Sequence, residues 1–180
     1  MTGALVAVVG PSGSGKDAVI GFAAERLASR ADVVFPKRVI TRPAGAGEDH
    51  LPVSEAEFAA LAAGGGFALT WEAHGLRYGV PAEVAEAVRG GAVAVVNVSR
   101  AVLDDLGDGF ARVRAVRVRV PDDVRRERIL ARGREVSDAV QARLDREDPA
   151  PGFPYDLDIV NDGALADAGE RLVALIESLR

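Results

Sequence analysis

Short β-branched runs alternate with stretches of helical period along almost the whole chain. Leu5–Val9 is uninterrupted apolar and reads as a buried strand. Asp17–Ala28 follows as a helix, with apolar positions at Ala18, Val19, Phe22, Ala23 and Leu27. Val33–Phe35 and Arg38–Ile40 are short strand candidates split by Pro36, and Pro43–Pro52 is a polar, Gly/Pro-rich loop. Ser54-Glu55-Ala56-Glu57 has capping-box form and opens a helix to Ala63, closed by Gly64-Gly65-Gly66. Phe67–Trp71 and Leu76–Tyr78 read as a small antiparallel pair with His74-Gly75 in the turn, and Pro81 introduces a helix over Ala82–Arg89. Ala92–Val98, apolar at nearly every position, is the best candidate for a central strand. Val113–Val120 alternates Val with Arg or Ala and should be half exposed. Pro121-Asp122-Asp123 caps a helix to Arg132, and a second helix follows around Ser137–Arg146. After a Pro-rich connection, Pro149–Pro154, come a short strand at Asp158–Val160 and an amphipathic helix over Leu165–Leu179.

Strands separated by helices predict an α/β fold of three layers, α/β/α, with a parallel central sheet. In such sheets the ligand sits beyond the carboxyl ends of the strands. The residues after Val9, Asn97–Arg100 and Asn161-Asp162 should therefore gather at one place. One domain, 1–180, is expected, with a core of 1–36, 79–124 and 155–180. Two segments stand off it: an insertion, 37–78, and an arginine-rich segment, 125–154.

The residues that follow Leu5–Val9 turn this pattern toward chemistry. Gly10-Pro11-Ser12-Gly13-Ser14-Gly15-Lys16 is a G-x-x-x-x-G-K sequence between a strand and a helix, the context that makes it a phosphate-binding loop. Its glycines let successive N–H groups point inward at phosphate oxygens, the helix N-terminus adds partial positive charge, and Lys16 neutralises the outer phosphates. The chain has only two lysines, Lys16 and Lys37, against 20 arginines, so a lysine here is a specific choice of a compact, flexible ammonium. The next position, where a Ser or Thr hydroxyl ordinarily holds Mg²⁺, is Asp17. A carboxylate is also a hard oxygen ligand, so Asp17 is the candidate metal residue, with capping of the helix as its alternative role.

Composition narrows the class. The apolar fraction is 48% and the charged fraction 27%, as in an ordinary globular protein with a real core. A net charge of −5 argues against nucleic acid or an anionic membrane as the main partner, so any basic site must be local. Zero cysteines exclude disulfides and thiolate metal sites. Met1-Thr2-Gly3-Ala4 lacks a charged leader region and no apolar run reaches spanning length, so a cytoplasmic protein, monomer or homodimer, is expected. Against this acidic background Arg128 and Arg132 lie four apart on one helix face, with Arg134, Arg143 and Arg146 following. Glu127, Glu135 and Asp145 would pair with them on a merely solvated face. In a phosphate-loop protein, where phosphoryl transfer is mostly charge neutralisation, a lid of clamping arginines is the stronger reading. Arg38 and Arg42, in the other insertion, would face the acceptor.

These residues resemble the guanylate kinase superfamily over essentially the whole chain. Gly10–Lys16 resembles its GPSGxGK, and Thr41-Arg42-Pro43 with Gly47-Glu48 its TTRxPRxGE segment. Tyr78-Gly79 resembles its YG dipeptide, Arg132-Gly133 with Arg143-Leu144 its lid, and Ile159-Val160-Asn161-Asp162 its terminal strand. The departures concern the acceptor. The Glu that reads the guanine edge in guanylate kinases is here Leu69, and the Thr or Ser after the YG dipeptide is Val80. The second Arg of the TTRxPR segment is missing, a phosphate-contacting Tyr is His50, and the Asp after the central strand is Asn97. A pocket without buried hydrogen-bond partners for a base discriminates poorly, so guanine is not the expected acceptor.

A narrower family shares the departures and resembles this chain at Gly10–Asp17, Val39–Ala44, Gly47–His50, Ala73–Leu76 and Val96–Arg100: the ribose 1,5-bisphosphate phosphokinases of phosphonate breakdown. The resemblance implies ATP-dependent phosphorylation of ribose 1,5-bisphosphate to 5-phosphoribosyl 1-diphosphate, with Mg²⁺ as companion of ATP. On this reading Gly10, Pro11, Ser12, Gly13, Ser14, Gly15, Lys16, Asp17 and Arg128 bind the nucleotide. Arg38, Arg42, His50, Tyr78, Ser99 and Arg100 bind the sugar phosphate, and Lys16, Arg132 and Arg143 act on the transferring group. His74 is expected to be a turn residue, and for Tyr78 core packing is nearly as good a reading. A nucleoside monophosphate kinase with an altered base pocket is the alternative enzyme, and a non-catalytic guanylate-kinase-like interaction module the alternative of another class.

Overall fold

Six consecutive buried residues, Ala4–Val9, form β1, the middle of a parallel sheet. The computed structural model describes residues 3–43, 49–131, 150 and 152–179. On one side of β1 lie β7 (Val93–Asn97) and then β2 (Val33–Val34); on the other lie β8 (Val113–Arg119) and β9 (Leu157–Val160). All four pairings are parallel. The expected central strand, β7, is interior but stands beside the centre, because β1 is the one pairing with both β7 and β8.

Pleating divides β1 between two cores. Ala4, Val6 and Val8 meet Val19 and Ala23 of α1 (Lys16–Arg26) and Leu172, Val173 and Ile176 of α6 (Leu165–Glu177). Leu5, Ala7 and Val9 meet Val84 and Val88 of α3 (Ala82–Arg89), with Val102, Leu103, Leu106 and Phe110. A strand buried on both faces needs an unbroken apolar run, and that is what Leu5–Val9 supplies. Each such side chain contributes roughly 1.5–3 kcal/mol over an exposed one. Between β7 and β8 the chain makes a 3₁₀ turn, Arg100–Val102, and a one-turn helix, α4 (Leu106–Gly109), which sequence reasoning left without an element. Both are shorter than the window over which a helical period can be read.

A second sheet runs in the order β4 (His50–Pro52), β3 (Arg38–Ile40), β6 (Leu76–Pro81), β5 (Phe67–Ala73). The expected loop Pro43–Pro52 is thus partly wrong, since residues 50–52 pair parallel with β3. Gly/Pro content hid β4, whose Pro52 is tolerated because the strand lies at the sheet edge. The β5–β6 hairpin closes with Ala73 opposite Leu76, leaving His74 and Gly75 at φ 57° and 70°. Both left-handed values are those of a two-residue type I′ turn, which accounts for His74. Ile40, Trp71, Tyr78 and Val80 bury into the same core as Leu5, Ala7 and Val9, so this sheet is anchored to the parallel one. Between β4 and β5 lies α2 (Glu55–Ala63), capped as expected: the Ser54 Oγ accepts from the Glu57 N–H and the Glu57 carboxylate accepts from the Ser54 N–H.

Val113–Arg119 is less exposed than its alternation suggested, with Ala115, Val116 and Val118 buried. Its arginines are tied down across the strand. Arg117 donates to Asp158 through Nε and Nη2, Arg119 donates through Nε, and the Arg117 guanidinium lies 4.7 Å from the centre of the Tyr155 ring. Partial burial alone would raise the Asp158 pKa, but the bonds and charges of Arg117 and Arg119 outweigh it and hold the carboxyl below its ordinary value of 3.8. Following β8, α5 (Asp122–Ala131) begins at the predicted cap. The expected helix around Ser137–Arg146 lies outside the described residues. No helix among the described residues is long and apolar enough to cross a membrane.

Candidate active site

The loop 10–15 joins the end of β1 to the start of α1, and its backbone takes shapes that most side chains forbid. Gly13 and Gly15 both sit at φ +85°, and Gly15 is the residue on which α1 begins, its carbonyl accepting the first helical bond from Val19. Lys16 folds back over the loop, its Nζ donating to the carbonyls of Gly10 (2.7 Å) and Pro11 (3.1 Å). Ser14 is fully buried. The predicted gathering at the strand ends is observed. Asn97, at the end of β7, donates from Nδ2 to Oδ1 of Asp17 at 2.6 Å. Asn161, just after β9, donates from Nδ2 to the Ser14 carbonyl at 2.9 Å.

Two loop contacts were not foreseen. Arg125 of α5 is 7% exposed and donates from Nε to the Ser12 carbonyl at 2.9 Å. Arg125 and Ile129 also pack against Gly13 so closely that a Cβ there would stand 2.9 Å from Ile129 Cγ1 and 3.2 Å from Arg125 Cγ. Nothing in the run Arg125-Arg126-Glu127-Arg128 singles out Arg125, since its burial follows only from where α5 lies. Arg128 stands beside the loop, its Nη1 3.5 Å from where a Gly15 Cβ would be.

Of the candidate acceptor residues, Arg38, Arg42, His50 and Tyr78 belong to or adjoin the second sheet, and Ser99 and Arg100 follow β7. Thr41 is pinned to β6, its N–H donating to the Arg77 carbonyl and its Oγ1 accepting from the Arg77 N–H, so Arg42 leaves β3 from a fixed base. His50 is 6% exposed, and its Nε2 lies 3.1 Å from the Arg42 carbonyl. That oxygen only accepts, so Nε2 carries the proton and His50 holds the Arg42 backbone. Tyr78 is buried, stacked on Trp71 at 5.3 Å and 5°, with the Arg38 guanidinium 5.9 Å from its ring centre. Its ring is therefore a packing element. Ser99 caps the 3₁₀ turn, its Oγ accepting from the Ala101 N–H, and Arg100 opens that turn. Arg132 and Arg143 lie outside the described residues, as does Gly47-Glu48.

Asp17 bears on the metal. Its side chain is exposed at the first turn of α1, with one carboxylate oxygen held by Asn97. A single oriented hard-oxygen ligand beside a phosphate-binding loop fits Mg²⁺, which keeps several waters and takes other ligands from substrate phosphates.

A parallel sheet carrying this loop at the end of its middle strand, with a second sheet inserted beside it, is the guanylate kinase fold. The guanylate kinase of Anaplasma phagocytophilum superposes with a TM-score of 0.70 over 98% of this chain and 86% of that one, at 20% identity, a likeness that carries the fold alone. No protein-family model matches the chain. Sequence relatives define a narrower group. A ribose 1,5-bisphosphate phosphokinase PhnN of Pseudofrankia inefficax is 55% identical over 174 residues, covering 97% of this chain and 90% of its own. That of Rhizobium etli is 44% identical over 179 residues, covering 98% and 91%, and that of Methylobacterium radiotolerans 45% over 174, covering 97% of each. The chain belongs to the ribose 1,5-bisphosphate phosphokinase family.

Proposed function

We propose that this protein transfers the γ-phosphoryl group of ATP to the 1-phosphate of ribose 1,5-bisphosphate, giving 5-phosphoribosyl 1-diphosphate and ADP within phosphonate catabolism. An oxygen of the 1-phosphate attacks the γ-phosphorus as the bond to the β-phosphate oxygen breaks, and ADP leaves with that electron pair. The nucleophile is already anionic near neutral pH, so no general base is needed, which agrees with His50 being spent on the Arg42 backbone. Inward amides of the loop and Lys16 hold the β- and γ-phosphates, Lys16 exchanging the Gly10 and Pro11 carbonyls for phosphate oxygens. Asp17, oriented by Asn97, would hold Mg²⁺, which supplies charge neutralisation on the phosphates. Arg38, Arg42 and Arg100 hold the sugar phosphate, with Ser99 capping the turn that presents Arg100. Arg132 and Arg143 close over the transferring group. The reaction takes place in the cytoplasm.

Beyond kinship, the observation that carries the acceptor assignment is the pairing of Leu69 with Val80 across the β5–β6 hairpin. The two positions that would carry polar groups for a purine are neighbours on one ladder, and both are apolar. A sugar phosphate has no base for them to read. The test is coupled ADP release with ribose 1,5-bisphosphate and with GMP, with and without Mg²⁺. Turnover of the bisphosphate at least a hundredfold above that of GMP in kcat/KM is expected; faster turnover of GMP would overturn the assignment.

A further inference from the structure

The phosphate-binding loop is held from outside by two side chains, and each takes the carbonyl of a peptide whose other end is a glycine N–H. Arg125 Nε takes the Ser12 carbonyl, at 2.9 Å, and Asn161 Nδ2 takes the Ser14 carbonyl, also at 2.9 Å. In a planar trans peptide the C=O of one residue and the N–H of the next point in opposite directions. Fixing the Ser12 carbonyl toward α5 therefore fixes the Gly13 N–H away from α5. Fixing the Ser14 carbonyl toward the end of β9 does the same for the Gly15 N–H. These are the glycines at φ +85°, where the backbone has most freedom to rotate a peptide the wrong way. Asn161 is itself positioned by backbone pairing, its N–H donating to the Arg119 carbonyl at 2.8 Å, and both anchors are buried, at 4% and 7% exposure.

We propose that Arg125 and Asn161 are positioning residues that set the two glycine amides for a polyphosphate, Arg125 acting through its Nε–H donor while its charge faces Asp122 at 3.8 Å. Arg125 opens the arginine-rich segment, 125–154, and Asn161 lies beyond it, after β9. This inference rests on the loop being the ATP phosphate site.

The chemistry of the side chains gives a selective test. Glutamine carries an N–H donor on the atom bonded to Cδ, where arginine carries Nε, while methionine can place only a methyl group there. ATP and inorganic tripolyphosphate are titrated calorimetrically into wild type, Lys16→Ala, Arg125→Gln, Arg125→Met and Asn161→Asp, with melting curves and the acceptor KM recorded for each. Asn161→Asp keeps the shape but can turn a carboxylate oxygen on the Ser14 carbonyl. Arg125→Met and Asn161→Asp should weaken both ligands at least tenfold with the acceptor KM unchanged, while Arg125→Gln stays within about threefold of wild type. Arg125→Met with wild-type affinity, or Arg125→Gln as weak as Arg125→Met, overturns the inference while leaving the phosphate site itself intact. Wild-type affinity in Lys16→Ala defeats the phosphate-site reading and this inference with it.

Discussion

Alanine at Gly13 and alanine at Gly15 each put a methyl group on a residue at positive φ, but only the second must displace the hydrogen-bonding atom of a loop anchor. Both residues sit at φ +85°, and forcing an L-residue toward the left-handed region costs roughly 1–2 kcal/mol at either site. At Gly13 the new methyl group meets Ile129 Cγ1 at 2.9 Å and Arg125 Cγ at 3.2 Å, buried side-chain atoms of α5 that must give way by a few tenths of an ångström. At Gly15 it would stand 2.3 Å from Asn161 Nδ2, too close to coexist, so the amide must leave the Ser14 carbonyl it holds at 2.9 Å. A buried carbonyl left unpaired costs about 1–3 kcal/mol, a cost the free loop escapes by turning the peptide over and one that binding restores when the Gly15 N–H is presented to phosphate. At one decade of affinity per 1.4 kcal/mol, Gly15→Ala should bind ATP roughly 5- to 150-fold more weakly than Gly13→Ala. Isothermal titration of ATP into both variants, with melting curves to confirm folding, measures the difference. Gly15→Ala binding ATP as tightly as wild type would refute the claim that Asn161 shapes the loop.

Four further outcomes follow, the first from the proposed lid arginine and the other three from named contacts. Arg132→Ala should lower kcat by about 10³–10⁵ with an unchanged melting temperature, the range expected for a clamping arginine; near-normal kcat would remove it from the transferring group. Asp17→Asn should raise the Mg²⁺ concentration needed for half-maximal ADP release, and Asn97→Ala should shift it in the same direction by less; an unchanged profile for Asp17→Asn takes that carboxylate away from the metal. His50→Ala should raise the KM for the sugar phosphate through Arg42 and leave the KM for ATP alone, as steady-state kinetics with each substrate varied would show. Asp158 has a folded pKa below its ordinary 3.8, so its ionised form stabilises the protein above about pH 4, and that contribution is lost as pH falls through the depressed value. Urea denaturation of Asp158→Asn should accordingly give a flatter stability profile than wild type on the acid side of about pH 4, and parallel profiles would dismiss the Arg117–Asp158–Arg119 cluster as a stabilising unit.

Much of the architecture was legible because it depends on local pattern. Leu5–Val9 could only be a strand covered on both faces, Ser54 and Glu57 marked a helix start, and a glycine-rich loop between strand and helix marked a phosphate site. What went unread was short or at an edge: β4, whose three residues carry a proline, and the turns at 100–102 and 106–109, too brief to show a period. Histidine roles divided along the same line. His74 was readable as a turn residue beside a glycine, whereas the task of His50 depended on a carbonyl eight residues away in sequence and adjacent only in the folded insertion.

Sequence by itself determined the covalent and local terms: which segments are apolar at strand or helix spacing, where glycines permit a loop, that a lysine follows it, and, through the resemblance to guanylate kinases, that Leu69 and Val80 stand where a purine's polar partners would be. Tertiary structure decided which of many similar side chains does what. Among the described arginines of α5 it is Arg125 that is driven under the loop, because α5 leaves β8 at that point, and an asparagine 147 residues from Ser14 becomes its hydrogen-bond partner because β9 pairs beside β8. Burial and hydrogen bonding are properties of the space between elements, and that space exists only once the sheet has assembled.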